Sequence, residues 1–463
     1  MTTLQEVSQH STESSCWVVI HGVAYDVTNF LSHHPGGKHV ILKQAGGDAT
    51  PAFDAVHSRD LLEKYLRPSQ VVGNIAGYEE SRLGDTQGET PDRQQLSRKL
   101  LARIVSVPDF ESAAAEVLDP KSFAFFKAGA NSEITASWNQ KSWDAVRFRP
   151  RVLVPISHVE TSTTMFGSKF SAPFYIAPAG GGKFAHPRGE IIWTRAAAKH
   201  GILQWVCNNA GCSQKEMADA RGPGQILFWQ IYAMKDLDVT KREIQQAVAM
   251  GYKGLALTVD AIRIGKRERD IRIHLPSDGD NTGVTTGSGS ISATRPMLHD
   301  QFDFASVIDW LRSMTDLPIA IKGVQSWEDA ELCMKHGLHP WLSNHGGRQL
   351  DGAPAAIETL VEIRKHCPEV FVRCEVFVDG GVTRGTDIIK ALALGAKGVA
   401  IGRGFLYALT FGEAGVSKAI DILMDEVRTA MALLGVSSID QLQPSHVDTS
   451  GLAYAGAVIR ARL

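Results

Sequence analysis

Between residues 174 and 402, short apolar runs recur at regular intervals: 174–178, 203–207, 226–232, 254–260, 318–322, 341–344, 376–379 and 398–402. Runs of this length, without strict polar alternation, fit strands buried on both faces. A helix-like stretch follows most of them, and no hairpin signal separates them. Eight such units predict an α/β protein built on a closed (β/α)8 TIM barrel rather than an open sheet. Residues 276–294, rich in Gly, Ser and Thr, predict an excursion after the fourth strand that can act as a lid. Ahead of the barrel the pattern is helical from Arg93. Residues 78–92 are polar and turn-rich and read as a linker. Residues 1–77, with their own aromatics and turns, read as a small α+β domain. The predicted organisation is therefore 1–77, a linker over 78–92, and a barrel with a C-terminal tail over 93–463.

Composition sharpens this picture. A chain of 463 residues is too long for one ordinary domain. With 48 basic and 50 acidic side chains, no charge surplus points to nucleic acid or an anionic membrane. No apolar run reaches the roughly 20 residues needed to span a bilayer. The polar stretch 1–15 lacks a hydrophobic signal core, so an intracellular, cytoplasmic location is expected. The terminal Ala461-Arg462-Leu463 resembles a variant of the peroxisomal address, which leaves that compartment as an alternative. Six cysteines without a Cys-x-x-Cys pair read as reduced thiols rather than a disulfide framework or metal site.

Two clusters carry candidate chemistry. The first is His34-Pro35-Gly36-Gly37, with His57 after the run Gly46-Gly47-Asp48-Ala49-Thr50 and Trp17 upstream. Two histidines on separate helical segments can hold a flat macrocycle from both faces. With both axial positions filled, the iron can only pass electrons. Residues 3–77 resemble a cytochrome b5 domain. The resemblance implies haem b with His34 and His57 as the metal ligands; His33 and His39 read as solvated.

The second is Ser343-Asn344-His345-Gly346-Gly347-Arg348-Gln349-Leu350-Asp351, at the C-terminal end of a predicted strand, where barrels place their chemistry. Arg348 can hold a carboxylate bidentately, and His345 can take a proton near neutral pH. Glycines in Asp379-Gly380-Gly381-Val382-Thr383-Arg384 and Gly402-Arg403-Gly404 end the last two strands. Their backbone N–H groups can approach a phosphate, with Arg403 adding charge.

These motifs resemble the FMN-dependent 2-hydroxy-acid oxidase and dehydrogenase family over about residues 95–440. With the haem module in front, the chain resembles the flavocytochrome b2 family. The resemblance implies FMN and haem as cofactors. It assigns His345 as base, Asp260 as the carboxylate that steadies it, Lys322 beside the flavin, and Tyr232 touching the substrate. Arg348 and Arg267 become the carboxylate clamp. Ala177, Pro178, Ala179, Cys207, Gln230, Thr258, Lys322, Asp379, Gly380, Gly381, Thr383, Gly402 and Arg403 become flavin contacts. The implied reaction oxidises an L-2-hydroxy acid, electrons passing from FMN to haem to a cytochrome c-like acceptor. A dioxygen-using oxidase, or a tailoring enzyme acting on a larger acid, is the alternative. A homotetramer is implied too.

Five positions depart from the family pattern. Phe125 stands where a tyrosine usually bonds the substrate carboxylate, a loss of roughly 0.5–1.5 kcal/mol. Cys207 and Asn209 replace a serine and an apolar residue. Gly180 replaces alanine or larger, which predicts a wider pocket there. Thr383 replaces a phosphate-side arginine, and Arg384 can pair with a neighbouring acid instead. The run 338–342 is one residue short and carries Pro340 and Trp341, which predicts a shift of His345. Phe125, Gly180 and Asn209 together predict a substrate bulkier or more polar than lactate.

Overall fold

The computed structural model describes residues 2–34, 38–78, 91–273 and 299–452. The expected lid at 276–294, the turn Pro35-Gly36-Gly37, most of the expected linker and the terminal Ala-Arg-Leu lie outside them. A helix starts at Pro91, two residues before the expected start of the barrel unit at Arg93.

The N-terminal block is a four-stranded antiparallel sheet in the order β1 (Ser11–Thr12), β2 (Ser15–Ile20), β3 (Val23–Asp26), β4 (Val71–Asn74). Cys16, Val18 and Ile20 alternate onto one face of β2. There they pack with Leu31 and Leu62 from the short helical segments Thr28–His33 and Asp60–Tyr65. His34 follows the first of these segments directly, and His57 lies between the helix Thr50–Asp54 and the second.

The barrel has eight parallel strands: β7 (Phe174–Ile176), β8 (Leu203–Cys207), β9 (Leu227–Ile231), β10 (Leu255–Thr258), β11 (Ile319–Val324), β12 (His339–Leu342), β13 (Phe377–Val378) and β14 (Gly398–Ile401). It closes by pairing Val399 with Phe174. All eight apolar runs of the sequence become these strands, within a residue or two at each end.

One element lies outside the sequence reading, ahead of the eight runs. A two-stranded antiparallel hairpin, β5 (Thr163–Met165) and β6 (Ser168–Phe170), precedes the first barrel strand. Its two-residue loop has Phe166 at φ 48° and Gly167 at φ 70°, the left-handed pair of a tight hairpin turn. Its residues Met165, Phe166 and Phe170 close the barrel's N-terminal end against an aromatic interior of Tyr175, Trp205, Phe228, Trp341 and Phe377. Edge-on contacts such as Trp205–Trp341, at 5.1 Å between centroids, fill that space.

The short run before His345 is accommodated rather than displaced. The β11–β12 register shifts between Lys322 and Val324, so the neighbouring strand takes up the missing residue. Gly323 sits in that bulge at φ 113°, where a Cβ would fall 2.7 Å from Asp260 Cβ. Trp341 turns into the barrel interior and joins the aromatic floor.

Candidate active site

The catalytic candidates converge at the C-terminal ends of the strands. His345 follows β12 in a left-handed conformation, φ 58°, with Gly346 and Gly347 also left-handed after it. A non-glycine residue held there is strained and needs its surroundings to fix it. The Ser343 hydroxyl accepts the His345 N–H at 3.1 Å, and the paired amides of Asn344 and Asn139 pin the loop from behind.

His345 Nδ1 lies 2.9 Å from Asp260 Oδ1, and its Nε2 lies 3.4 Å from the Tyr232 hydroxyl. With Nδ1–H donated to Asp260, the Nε2 lone pair is left facing the cavity. Burial pushes the His345 pKa down, and Asp260 only partly offsets it. The imidazole is therefore a neutral base at pH 7. Asp260 stays ionised: burial would raise its pKa, but His345 and Lys322 together hold it below the ordinary value.

Lys322 is buried, with Nζ 2.7 Å from Ser343 Oγ and 3.1 Å from Asp379 Oδ2. Burial works against its charge, but Asp379 and Asp260 outweigh it and keep the ammonium protonated. Gln230 donates through Nε2 to Thr258 Oγ1 at 2.8 Å, while its buried Oε1 has no hydrogen-bond partner among the described residues. A buried acceptor left this way calls for a donor from a bound group, which fits a flavin ring edge between Gln230 and Lys322. Gly380, Gly381, Thr383, Gly402 and Arg403 line the same cavity, beside the ends of β13 and β14. Arg403 is braced by donating to the Gly346 carbonyl at 2.9 Å.

The two arginines of the expected clamp, Arg267 and Arg348, both line the cavity. Arg348 Nη1 donates to the carbonyl oxygens of Phe125, Phe126 and Ala128. Burial lowers its pKa to about 10, leaving it fully charged at pH 7. Its guanidinium stands 5.2 Å from the centroid of the Phe125 ring. The aromatic face therefore meets the arginine as a π-surface where a hydroxyl was expected.

Several expectations change. Cys207 does not line the cavity: its Sγ accepts the Asn209 N–H at 3.3 Å and packs with Tyr232 and Met234. Arg384, by contrast, does pair with a neighbouring acid as expected: Glu426, at 3.1 Å. Gly180 does not widen the pocket. A Cβ there would fall 2.4 Å from the Asn209 carbonyl oxygen, so the backbone of Asn209 occupies that space. The Asn209 side chain is also engaged, accepting from the Tyr65 hydroxyl at 3.3 Å. Two of the three reasons for a bulkier substrate are thereby removed.

The same cavity, of about 1030 Å³, runs on into the N-terminal domain and is lined there by Phe30, His34, Phe53, His57 and Leu62. The His34 and His57 rings stand edge to face with centroids 6.1 Å apart. Two metal–nitrogen bonds of about 2 Å each, plus the reach from each nitrogen to its ring centre, fill that gap. Burial, reinforced by His34 and Lys183, lowers the His57 pKa to about 4, so it presents the neutral imidazole that a metal requires. Apolar walls suit a porphyrin. His39, expected to be solvated, is half-buried on the cavity wall.

Comparison with known proteins agrees with this geometry. Residues 114–449 match the model of the FMN-dependent dehydrogenase family, and residues 3–76 match the cytochrome b5-like haem/steroid binding domain. An L-lactate dehydrogenase (cytochrome) of Wickerhamomyces anomalus is 39% identical over 460 residues, covering 97% of this chain and 80% of that protein. A glycolate oxidase of Spinacia oleracea is 38% identical over 358 residues, covering 74% and 95%. Among solved structures, the recombinant flavin-binding domain of baker's yeast flavocytochrome b2 superposes with a TM-score of 0.72 at 36% identity, over 81% of this chain and 95% of that one. A two-cofactor oxidoreductase is the class that fold and cavity define. The chain belongs to the FMN-dependent dehydrogenase family and carries a cytochrome b5-like domain at its front. FMN and haem are its cofactors.

Nothing in the sequence pattern marks the residues that join the two domains. Lys64, Tyr65, Lys183, Asn208 and Glu243 have ordinary surface identities, and only their pairing in three dimensions shows what they do.

Proposed function

We propose that this enzyme oxidises an L-2-hydroxy acid to the 2-oxo acid and passes the electrons through its haem to a one-electron acceptor of the cytochrome c kind. One observation carries the reading: a neutral, acid-backed histidine, a buried ammonium and two arginines face one cavity, and that cavity continues to a pair of haem-ligating histidines. Arg267 and Arg348 would hold the substrate carboxylate, orienting the α-carbon toward the wall formed by Gln230, Thr258 and Lys322. Tyr232 would bond the hydroxyl oxygen, and His345 Nε2 would take the proton that leaves. Asp260, held ionised, would stabilise the resulting imidazolium. FMN bound on that wall would supply a two-electron sink that can release electrons singly, as a one-electron haem requires. Lys322 would place positive charge where negative charge accumulates.

Anaerobic mixing with a panel of 2-hydroxy acids, followed at the flavin and haem absorption bands, tests this. Flavin bleaching followed by haem reduction is expected. His57→Ala should keep the bleaching and lose the haem signal and cytochrome c reduction. A panel in which no 2-hydroxy acid bleaches the flavin would end the proposal. Rapid oxygen uptake at the expense of cytochrome c would replace the acceptor with dioxygen.

A further inference from the structure

The two domains are joined by hydrogen bonds at two stretches of the haem domain, Asp54–His57 and Lys64–Tyr65. Lys64, near the end of the segment Asp60–Tyr65, projects from the haem domain into the barrel. Its ammonium lies 2.6 Å from Glu243 Oε1 and donates to the Asn208 carbonyl at 2.9 Å. Only 7% of the Lys64 side chain and 15% of the Glu243 side chain remain exposed. The adjacent Tyr65 hydroxyl reaches Asn209. From the barrel side, Lys183 donates to the main-chain carbonyls of Asp54 and His57, at 3.1 and 2.9 Å.

The bonds do not stop at the interface. Glu243 Oε2 accepts from Asn208 Nδ2 at 3.1 Å, and Asn208 Oδ1 accepts the Tyr232 N–H at 3.3 Å. Asn208 Nδ2 also donates to the Tyr232 carbonyl, and its own N–H to that of Gln230. A haem-domain lysine is thus two residues removed from the strand end bearing Tyr232 and Gln230. Contacts between domains of one chain are ordinarily polar and loose. A buried ion pair is different, because removing one partner strands the other charge away from water in the docked state only. Burial would depress the Lys64 pKa, but Tyr65 and Glu243 outweigh it and keep the group charged.

We propose that Lys64 is a positioning residue for electron transfer: its ion pair with Glu243 latches the haem domain over the barrel mouth and ties the docked state, through Asn208, to the strand end carrying Tyr232. The inference rests on the reading that electrons pass from flavin to haem. In the full-length, doubly loaded enzyme, Lys64→Met shifts the domains toward separation. Stopped-flow mixing with substrate should show flavin reduction within about twofold of wild type and flavin-to-haem transfer slowed at least about tenfold. Small-angle scattering should show a larger radius of gyration, and hydrogen exchange should quicken at the amides of Asn208 and Tyr232. The conservative Lys64→Arg, which keeps the charge and can still donate to Glu243 and to the Asn208 carbonyl, should hold the transfer rate and the compact form near wild type. Haem and flavin content report folding of each variant. If Lys64→Met itself does not load both cofactors, loading and transfer retained in Lys64→Arg support the latch, and their loss in Lys64→Arg overturns it. Unchanged transfer and scattering in a loaded Lys64→Met also overturn it, as does equal slowing of both steps with unchanged scattering. Should no hydroxy acid bleach the wild-type flavin, the functional reading fails, while scattering and exchange still decide the latch.

Discussion

Replacing His345 with Gln should slow substrate-driven flavin bleaching by about 10³-fold, within the range that general-base catalysis contributes. Flavin content and thermal stability should change little, because glutamine can still bond Asp260. The pH profile provides a stricter check. His345 must be neutral to act, and burial has moved its pKa below the ordinary value. The wild-type kcat/KM should therefore be flat through neutrality and fall on acidification below the lowered pKa, where the base is protonated. Asp260→Asn should act on two quantities in opposite senses. Asp260 raises the His345 pKa, so its removal should carry the acidic limb to still lower pH. It should also slow the plateau rate, because the imidazolium formed loses its counter-charge. An acidic limb that moves upward in Asp260→Asn, or that persists unchanged in His345→Gln, would remove His345 as the base.

Lys322→Met should be the next most damaging substitution, through two separable effects. Without the ammonium, the buried Asp379 carboxylate keeps, among the described residues, the Ser343 hydroxyl as its side-chain partner. Breaking such a pair costs about 3–5 kcal/mol, which a thermal melt of the flavin-free protein would register as a large drop in Tm. The second effect is on chemistry. Losing a preorganised positive charge at the flavin wall should slow flavin reduction by about 10²-fold. Adding Asp379→Asn to Lys322→Met should recover much of the stability and none of the rate. Recovery of the rate as well would reduce Lys322 to a structural role.

How much of this was readable in advance differs by physical origin. The barrel strands were legible because most of their positions are buried on both faces, so each reads as a mainly apolar run. The β5–β6 hairpin was missed because three-residue strands give too few positions for alternation to register. Only the Phe166-Gly167 turn signals them. Residues around His345 were legible as a motif, yet the roles of Gly180 and Asn209 were misjudged. A glycine can mean open space or a close backbone, and sequence alone does not separate them. Here the Asn209 carbonyl fills the gap. Cys207 was misplaced for a related reason: a residue at a strand's end turns either toward the cavity or behind it according to register. Lys64 and Glu243 lie far apart in sequence, on different domains, and an ion pair between them leaves no local pattern at all.

The aromatic floor has one more consequence. With the hairpin and five large rings filling its lower end, the barrel, among the described residues, has its doorway at the C-terminal ends of the strands. Everything that enters or leaves the chemistry uses that side: the acid coming in, the oxo acid going out, and the electrons departing. The haem domain stands at that doorway, sharing its cavity, so the seat that brings it near for electrons also places it in the way of cargo. The working pace of such an enzyme is then set by traffic as well as by bond breaking, and a firmer or looser seat for the doorkeeper trades electron delivery against product exit.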